Sequence, residues 1–310
     1  MIRWPYKWRK IEGRKSKIPY WGAVRYILDC IAENMFIKLS KIPTDALNKN
    51  NRNEKIVVSL TSFPARLDQC FYSIKSLLLQ DYKPDRVVLW LASEQFPDKK
   101  LPEKYSELLQ LGVEIKFCDD LKAHKKYFYM LQEQKNNEVV ITFDDDIIYE
   151  SDAILKLIGM HQKFPRSIIC NRGFQMTCNE DEVLEYNKWK IYSDVGVGIP
   201  VYNVLPSTGA GCLYPYNIMP ATTFNIELIK KYAWTADDLW MKFNSLSHGV
   251  KVVKTKKDVA TLCNVYGSQK EALTNINNLM NENQRTIERL ETLFPNVKNI
   301  LLNEGNINNN

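Results

Sequence analysis

Residues 139–146, Val-Val-Ile-Thr-Phe-Asp-Asp-Asp, join an apolar run to three consecutive carboxylates. The first five residues show no alternation, which predicts a short strand buried on both faces in a parallel sheet. Ligands of such sheets bind beyond the carboxyl ends of the strands, where these aspartates follow. Because adjacent carboxylates repel one another, we expect a compensating cation. Mg²⁺ or Mn²⁺ suits oxygen ligands, and the alternative is a solvated acidic turn.

The chain around this stretch alternates between strand and helix patterns. This alternation predicts an α/β fold, in which a Rossmann-like, mostly parallel sheet is flanked by helices on both faces. The regularity fades after the aspartates, and residues 303–310 are expected to be disordered. Predicted strands cover residues 55–61, 86–91, 113–117, 139–143, 167–170, 188–192 and 250–254. Predicted helices cover residues 66–80, 101–111, 123–134, 152–162, 226–232, 238–247 and 272–293.

Composition excludes several classes of protein. The 310 residues are 45% hydrophobic and 25% charged, which is ordinary for a chain that buries a core. Seven scattered cysteines never form a Cys-x-x-Cys pair, and with three separated histidines they argue against a disulfide framework and against a zinc site. A reduced, cytoplasmic protein is therefore expected. No apolar run approaches the ~20 residues that span a bilayer, and no secretory signal is recognised.

The N-terminal segment 1–25 is strongly basic, with eight Lys or Arg residues against Glu12 alone. Six Trp or Tyr residues interleave with this charge between positions 4 and 26, and an amphipathic helix is predicted from residue 27 to residue 39. This combination favours an anionic membrane surface, so we expect peripheral attachment to the inner face of the cytoplasmic membrane. An arm that packs on the body with solvated charges is an equal alternative. Nucleic acid is not an expected partner, because basic–aromatic content alone is not specific.

Three further segments carry a family resemblance. Thr-Ser-Phe-Pro-Ala-Arg at 61–66 follows the first predicted strand, Gly-Ala-Gly-Cys-Leu-Tyr occupies 209–214, and Ala-Asp-Asp-Leu-Trp occupies 236–240. In this order with the triple aspartate, they resemble GT-A glycosyltransferases, more narrowly the family-2-like bacterial enzymes of capsule, O-antigen and other surface polysaccharides. The resemblance covers residues 55–255. The predicted domains are a basic arm and linker (1–52), the catalytic domain (53–265), and a C-terminal helix with an asparagine-rich tail (266–310).

The resemblance implies a metal-dependent enzyme that moves a sugar from a nucleotide-diphosphate sugar, a UDP-sugar in the first instance, to a glycan or lipid-linked oligosaccharide. Asp146 would be the direct ligand of Mn²⁺ or Mg²⁺, and Asp144 would contact the metal through water or the donor ribose. Asp145 would contact the sugar or only repel its neighbours. Asp238 would be the general base, with Asp237 as its substitute, and a single base implies inversion. The alternative role of Asp237 is to cap a helix.

Further residues are assigned by the same resemblance. Asp120 would contact the base or ribose of the donor, and a lysine at the start of the following helix would reach the diphosphate, although solvated lysines are the alternative. Trp240 has a core position as its alternative. The donor-binding residues are Thr61, Ser62, Phe63, Arg66, Asp120, Lys125, Lys126, Asp145 and Arg172. The residues expected at the acceptor or sugar are Gly209, Gly211, Tyr214 and Trp240.

Other functions compete with this interpretation. A haloacid-dehalogenase-like phosphatase would use Asp144 as its nucleophile, but three predicted strands precede the motif and Ile148 stands where a Thr or Val is usual. A nucleotidyltransferase needs a glycine-rich, basic triphosphate loop, which the first strand lacks. A non-catalytic sugar-binding protein on the membrane would not need both acidic motifs. Metal-dependent hydrolysis of a sugar nucleotide would separate an enzyme from a binding module.

Overall fold

The computed structural model describes residues 19–256, 262–268 and 281–308. The chain divides into two compact units, with the boundary between Ser40 and Lys41. Within the described residues, the first unit consists mainly of helix α1, Pro19–Leu39. Among the helices of the described segments, none is both long enough and apolar enough to cross a membrane.

The second unit is built on a seven-stranded sheet in the order β3-β2-β1-β4-β8-β5-β9. Strands β1 to β4 are mutually parallel, β8 is antiparallel to both of its neighbours, and β9 is parallel to β5. A separate antiparallel pair joins β6 to β7. The strands are β1 (Lys55–Thr61), β2 (Arg86–Ala92), β3 (Glu114–Cys118), β4 (Glu138–Phe143), β5 (Ile168–Cys170), β6 (Gly173–Gln175), β7 (Val204–Pro206), β8 (Ala210–Tyr214) and β9 (Val252–Lys254).

Helices cover the sheet, as the alternating pattern predicts. Helix α2 illustrates the cause, since Cys70, Ile74 and Leu77 recur at helical spacing and are fully buried against the sheet. Pro64 lies just before it in a 3₁₀ turn, where its fixed φ angle is tolerated. Within the described residues, the helices of this unit are α2 (Leu67–Leu78), α3 (Tyr105–Gln110), α4 (Lys125–Glu133), α5 (Ala153–His161), α6 (Ile226–Tyr232), α7 (Asp237–Ser247), α8 (Glu282–Leu293) and α9 (Val297–Asn308).

Strands β1 and β4 lie at the centre of the parallel part. Both are buried along nearly their whole length because helices cover both faces, and Val57 pairs with Val140 in their register. Parallel strands place their carboxyl ends at one edge of the sheet, so the segments after β1 and β4 meet there. The predicted α/β fold with a mostly parallel sheet flanked by helices is confirmed.

Two local predictions are wrong. Residues 188–192 do not form a strand: a 3₁₀ turn at Tyr186–Lys188 precedes them, and Lys190 makes an isolated bridge to Gln175. The glycine-rich segment 209–214, to which the sequence assigned no element, is largely strand β8, inserted antiparallel between β4 and β5. Residues 303–308, expected to be disordered, belong to helix α9. Residues 272–280 of the last predicted helix lie outside the described residues.

Candidate active site

A cleft of about 860 Å³ opens where β1 and β4 end. Thirteen of the seventeen site residues predicted from the sequence line this cleft. They come from loops and helix starts that are far apart in the chain, so the sheet brings them together. They are Thr61, Ser62, Phe63, Arg66, Asp120, Lys125, Lys126, Asp144, Asp145, Asp146, Arg172, Asp237 and Asp238.

The middle carboxylate of the triple aspartate is held by the turn after β1. Asp145 is 5% exposed; it accepts hydrogen bonds from the Ser62 hydroxyl and from Arg66 Nη1, the latter at 3.0 Å. The sequence left open whether Asp145 contacts the sugar or only repels its neighbours. Its carboxylate instead links β4 to the turn after β1. Burial raises the pKa of Asp145, and Arg66 opposes that rise.

The third carboxylate, Asp146, shares the same arginine. Arg66 Nη1 lies 3.1 Å from Asp146 Oδ2, and the two carboxylates raise the pKa of the guanidinium although burial opposes this. Burial and the charge of Asp144 raise the pKa of Asp146 to about 6. The arginine therefore compensates this carboxylate incompletely, and additional positive charge would be bound favourably beside it.

Lys126 joins the two acidic motifs. Its ammonium lies 2.7 Å from Asp144 Oδ1 and 2.9 Å from Asp237 Oδ2, and its side chain is 3% exposed. Burial alone would lower the pKa of Lys126, but the carboxylates of Asp144 and Asp237 overcome this effect and raise it. The alternative of a solvated lysine on a helix face is therefore wrong for Lys126.

The acidic pair at the start of α7 is asymmetric. Asp237 bonds Lys126 and the Thr208 hydroxyl, whereas Asp238 Oδ1 accepts the Thr208 backbone N–H at 2.8 Å and also its hydroxyl. Burial opposes ionisation of Asp237, but Lys126 lowers its pKa. Burial and the charge of Asp237 raise the pKa of Asp238 to about 7. The N-cap position belongs to Ala236, so the capping alternative for Asp237 is wrong.

A second group of charges lies on the β3 side of the cleft. Asp120 accepts hydrogen bonds from the ammonium groups of Lys122 and Lys125 and from the amide of Gln95. Burial opposes ionisation, but Lys125 and Lys122 lower the pKa of Asp120. Since Lys125 is 3% exposed, it too differs from the solvated alternative. Two lysines here surround one carboxylate, so this side suits an anionic ligand.

The cleft lining also contains aromatic residues that the sequence did not single out, which we call the aromatic wall. Phe174, Tyr186 and Trp189 line the cleft together with Arg172, whose guanidinium lies 5.8 Å from the Phe174 ring centre. Phe174 belongs to the β6–β7 pair, and the other two aromatics lie in and just after the 3₁₀ turn. No pattern in the sequence marks these residues, because short irregular segments have no period.

Four predicted contacts lie outside the cleft. Tyr214 in β8 and Trp240 in α7 are fully buried in the core, and the Trp240 indole donates to the Thr223 carbonyl, so neither ring can stack on a sugar. Gly209 lies against Asp144, where a Cβ would fall 1.6 Å from Oδ2. Gly211 has a φ of +100° and packs against Phe143. The two glycines make room for protein atoms, and we correct the prediction that they approach a ligand.

Two positioning residues were missed. The Tyr149 hydroxyl accepts from the Asp144 backbone N–H at 2.8 Å and donates to the Gly209 carbonyl at 2.6 Å, so it fixes the end of β4. Thr208 is fully buried and holds both carboxylates of the second acidic motif. Thr208 directly precedes the glycine-rich segment, and Tyr149 follows the triple aspartate by three residues. Proximity to a motif is therefore the sequence signal that could have identified both residues.

The charges of the cleft fit a divalent cation. Five carboxylates, at positions 144–146 and 237–238, share two ion-paired cations, Arg66 and Lys126, within the described part of the chain. Asp144 is 41% exposed at its side chain and Asp146 is 14% exposed, so oxygens of both reach the cleft. The described residues contain no group of three or more His, Cys, Asp or Glu arranged as a metal site. Two carboxylates are nevertheless sufficient where substrate phosphates complete the coordination.

Comparisons with known proteins were made at the levels of family, sequence and structure. The chain matches no protein-family model and no curated protein. It is similar in structure to a mannosyltransferase from Pyrobaculum calidifontis in complex with GDP-mannose and Mn²⁺, with a TM-score of 0.48, 14% identity, and coverage of 85% of this chain and 73% of that one.

A second similar structure is 4-diphosphocytidyl-2C-methyl-D-erythritol synthase from Anaerococcus prevotii. The TM-score is 0.40 and the identity 11%, with coverage of 74% of this chain and all of the other. At these identities and TM-scores, neither similarity assigns a substrate or a site residue to this chain.

Proposed function

We propose that this chain is a glycosyltransferase. It would transfer a sugar from a nucleotide-diphosphate sugar, a UDP-sugar in the first instance, to a hydroxyl of a glycan or lipid-linked oligosaccharide, in the synthesis of a surface polysaccharide. The observation that carries the proposal is the convergence of two acidic motifs on Lys126. Asp144 from the end of β4 and Asp237 from the start of α7 meet there, at the edge of the sheet where α/β folds bind ligands.

The donor fits the side of the cleft between Arg66 and the β3 end. A nucleoside diphosphate carries negative charge along its phosphates, and Lys122 and Lys125 bring two ammonium groups to one carboxylate there. Asp120 supplies a carboxylate that can accept a ribose or base hydrogen bond. Thr61 and Phe63 line the same part of the cleft and would contact the nucleoside.

Asp144 and Asp146 would hold Mn²⁺ or Mg²⁺ beside the diphosphate. When bound, the ion would neutralise charge on the departing nucleoside diphosphate. The carboxylate excess at the two acidic motifs supports this role, because their five carboxylates share Arg66 and Lys126 among the described residues. Arg66 would keep Asp145 and Asp146 oriented, and Lys126 would do the same for Asp144.

Asp238 would act as the general base. A base works best when its pKa lies near the working pH, and burial together with the charge of Asp237 raises the pKa of Asp238 to about 7. The carboxylate would accept the proton of the acceptor hydroxyl while that oxygen bonds the anomeric carbon and the diphosphate leaves from the opposite face. Direct displacement with one base inverts the anomeric centre.

The acceptor fits the aromatic wall. Phe174, Tyr186 and Trp189 line the cleft, and burial together with the nearby charge of Asp238 raises the pKa of Tyr186. Aromatic faces bind the apolar faces of sugar rings. Arg172 was predicted at the donor, but its guanidinium lies beside Phe174, so we assign it instead to hydroxyl or anionic groups of the acceptor. This arrangement supports a sugar-containing acceptor.

The test is release of nucleoside diphosphate from a panel of UDP-, GDP- and dTDP-sugars, with Mn²⁺, with Mg²⁺ and with a chelator. Turnover of one nucleotide family that requires the metal and is lost in Asp146→Asn supports the proposal. Asp98→Asn is the matched control, because the Asp98 side chain is 72% exposed and lies outside the cleft. If the folded protein neither binds nor turns over any donor in the panel, the proposal is wrong.

A further inference from the structure

Helix α1 exposes an apolar stripe that one charged residue, Lys38, interrupts near the end of the helix. The large apolar side chains of the stripe are between 50% and 79% exposed. At 100° per residue the stripe spans an arc of about 120°. Its members are Ile27, Leu28, Ile31, Met35 and Leu39.

The opposite side of α1 has a different character. Ile37 is 3% exposed, and Asp29 and Glu33 lie away from the stripe on the helical wheel and are half-buried. The side chains on this side of α1 are therefore less exposed than those of the apolar stripe. Large exposed apolar patches of this kind mark interaction surfaces.

In the sequence, the positive charge of the protein is concentrated in the segment that directly precedes this stripe. Residues 1–25 carry eight Lys or Arg residues and one Glu, a net charge of +7, while the whole chain carries +6. The remaining residues therefore sum to −1. An apolar stripe that continues from a basic, Trp- and Tyr-rich segment is complementary to a surface with anionic headgroups above an apolar layer.

We propose that α1 lies in the plane of an anionic lipid bilayer. The stripe would insert among the acyl chains, and the basic segment 1–25 would bind the headgroups. Charged residues at 25, 29, 33 and 38 interrupt the apolar character of α1, which suits a helix that lies along the interface. The proposal does not depend on the chemistry of the cleft, since it rests on residues of the first unit alone.

The experiment is co-sedimentation of the full chain with vesicles of phosphatidylcholine alone and of phosphatidylcholine mixed with phosphatidylglycerol. We expect binding to the mixed vesicles, weaker binding to the neutral ones, and release at high salt because screening removes the headgroup attraction. The variant Ile31→Ser/Met35→Ser should bind about tenfold less, because two side chains of the stripe lose their apolar area.

A matched control keeps the result specific. Leu109 and Leu155 lie in the second unit and are 52% and 46% exposed, so Leu109→Ser/Leu155→Ser removes comparable exposed apolar area without touching α1. This control should bind like the wild type, and circular dichroism should show both variants folded. Equal binding to both vesicle types, or unchanged binding of the α1 variant, overturns the proposal. A dimer in solution that the α1 variant dissociates, with no vesicle binding, also overturns it and assigns the stripe to a second copy.

Discussion

Both acidic motifs of the cleft place adjacent carboxylates in a buried site, and the two motifs differ in how the negative charge is compensated. After β4, Asp145 is buried against Arg66, while burial and the charge of Asp144 raise the pKa of the neighbouring Asp146 to about 6. At the start of α7, Asp237 is paired with Lys126, while burial and the charge of Asp237 raise the pKa of Asp238 to about 7. Arg66 pairs with both Asp145 and Asp146, whereas Lys126 pairs with Asp237 in the second motif. In each motif the pKa of the last carboxylate is nevertheless raised.

The difference lies in what surrounds the second carboxylate. Asp146 has another carboxylate, Asp144, on the cleft side, so a divalent cation can be shared by two oxygens. Asp238 is held by the backbone N–H and the hydroxyl of Thr208, which leave its other oxygen available for a proton. Identical residue types thus suit cation binding in one motif and proton transfer in the other.

The largest effect is expected from Asp238→Asn. If Asp238 is the base, transfer should fall by about 10²–10⁴-fold, because the amide cannot accept the acceptor proton. Donor binding, followed as a thermal shift with nucleoside diphosphate and Mn²⁺, should persist. Asp98→Asn is the control, and an Asp238→Asn enzyme with more than a tenth of wild-type activity would contradict the assignment.

Loss of the shared cation should cost stability. Lys126→Met leaves Asp144 and Asp237 without their ammonium, and breaking a buried ion pair costs about 3–5 kcal/mol of the free energy of unfolding. Because the pKa of Lys126 is raised, its contribution is fully present at neutral pH and is lost only in strong alkali. Urea unfolding at pH 7 measures this loss.

Lys122→Met is the control for that experiment. The Lys122 side chain is 43% exposed and pairs with Asp120, so its loss should change the free energy of unfolding by about 0–1 kcal/mol. Similar losses of unfolding free energy in both variants would show that the ion pairs of Lys126 stabilise the protein no more than a surface ion pair does.

Activity and stability should respond to pH in opposite directions. The log of kcat/KM should rise by about one per pH unit below pH 7, because Asp238 must be ionised to act. The folded protein keeps a proton on Asp238 that the unfolded chain releases between its ordinary pKa of 3.8 and about 7, so this group makes stability fall as pH rises through that window. Asp238→Asn should remove that part of the fall.

The buried ammonium group of Lys242 affects the stability of the protein in a different pH range. Burial lowers the pKa of Lys242 to about 7, so the unfolded chain binds its proton more readily and stability rises with pH above 7. The difference in melting temperature between wild type and Asp238→Asn, measured from pH 5 to pH 7, therefore reports the titration of Asp238. An identical pH dependence in the two proteins over that range would exclude Asp238 as the titrating group.

The smallest effect is expected from Gly209→Ala. A Cβ at this position would fall 1.6 Å from Asp144 Oδ2, so the carboxylate must move away from its present place. Metal affinity should weaken by about tenfold, as it does when a ligand's supporting contacts are removed. Isothermal titration with Mn²⁺ measures it, and Gly159→Ala is the control because no atom lies within 4 Å of its added Cβ and its φ angle is not in the left-handed region. Equal affinities in the two variants would show that Gly209 does not shape the site.

Much of the fold follows from local patterns. The uninterrupted apolar runs at β1, β2 and β4 predicted buried parallel strands, and the structure places each within one residue of the predicted bounds. The helical spacing of Leu67, Cys70 and Ile74 likewise predicted α2. These signals are strong because burial on both faces, or on one face, imposes a period that the residues must follow.

The placement of strand β8 could not be predicted in this way. Ala210–Tyr214 contains one glycine at a positive φ angle and no alternation, so its pattern did not indicate a strand. Its insertion between β4 and β5 depends on pairings with strands distant in the chain. Tyr214 consequently lies in the core and not at the predicted sugar contact.

For the cleft, the sequence predicted which residue types gather at the strand ends, since motifs that follow parallel strands share one edge of the sheet. It did not predict that Lys126 would join Asp144 to Asp237, or that Thr208 would hold the second motif. Those contacts depend on distances between elements far apart in the chain, and the pKa values that separate Asp237 from Asp238 depend on burial. Local sequence encodes periodicity and charge, whereas pairing and desolvation arise when the chain is folded.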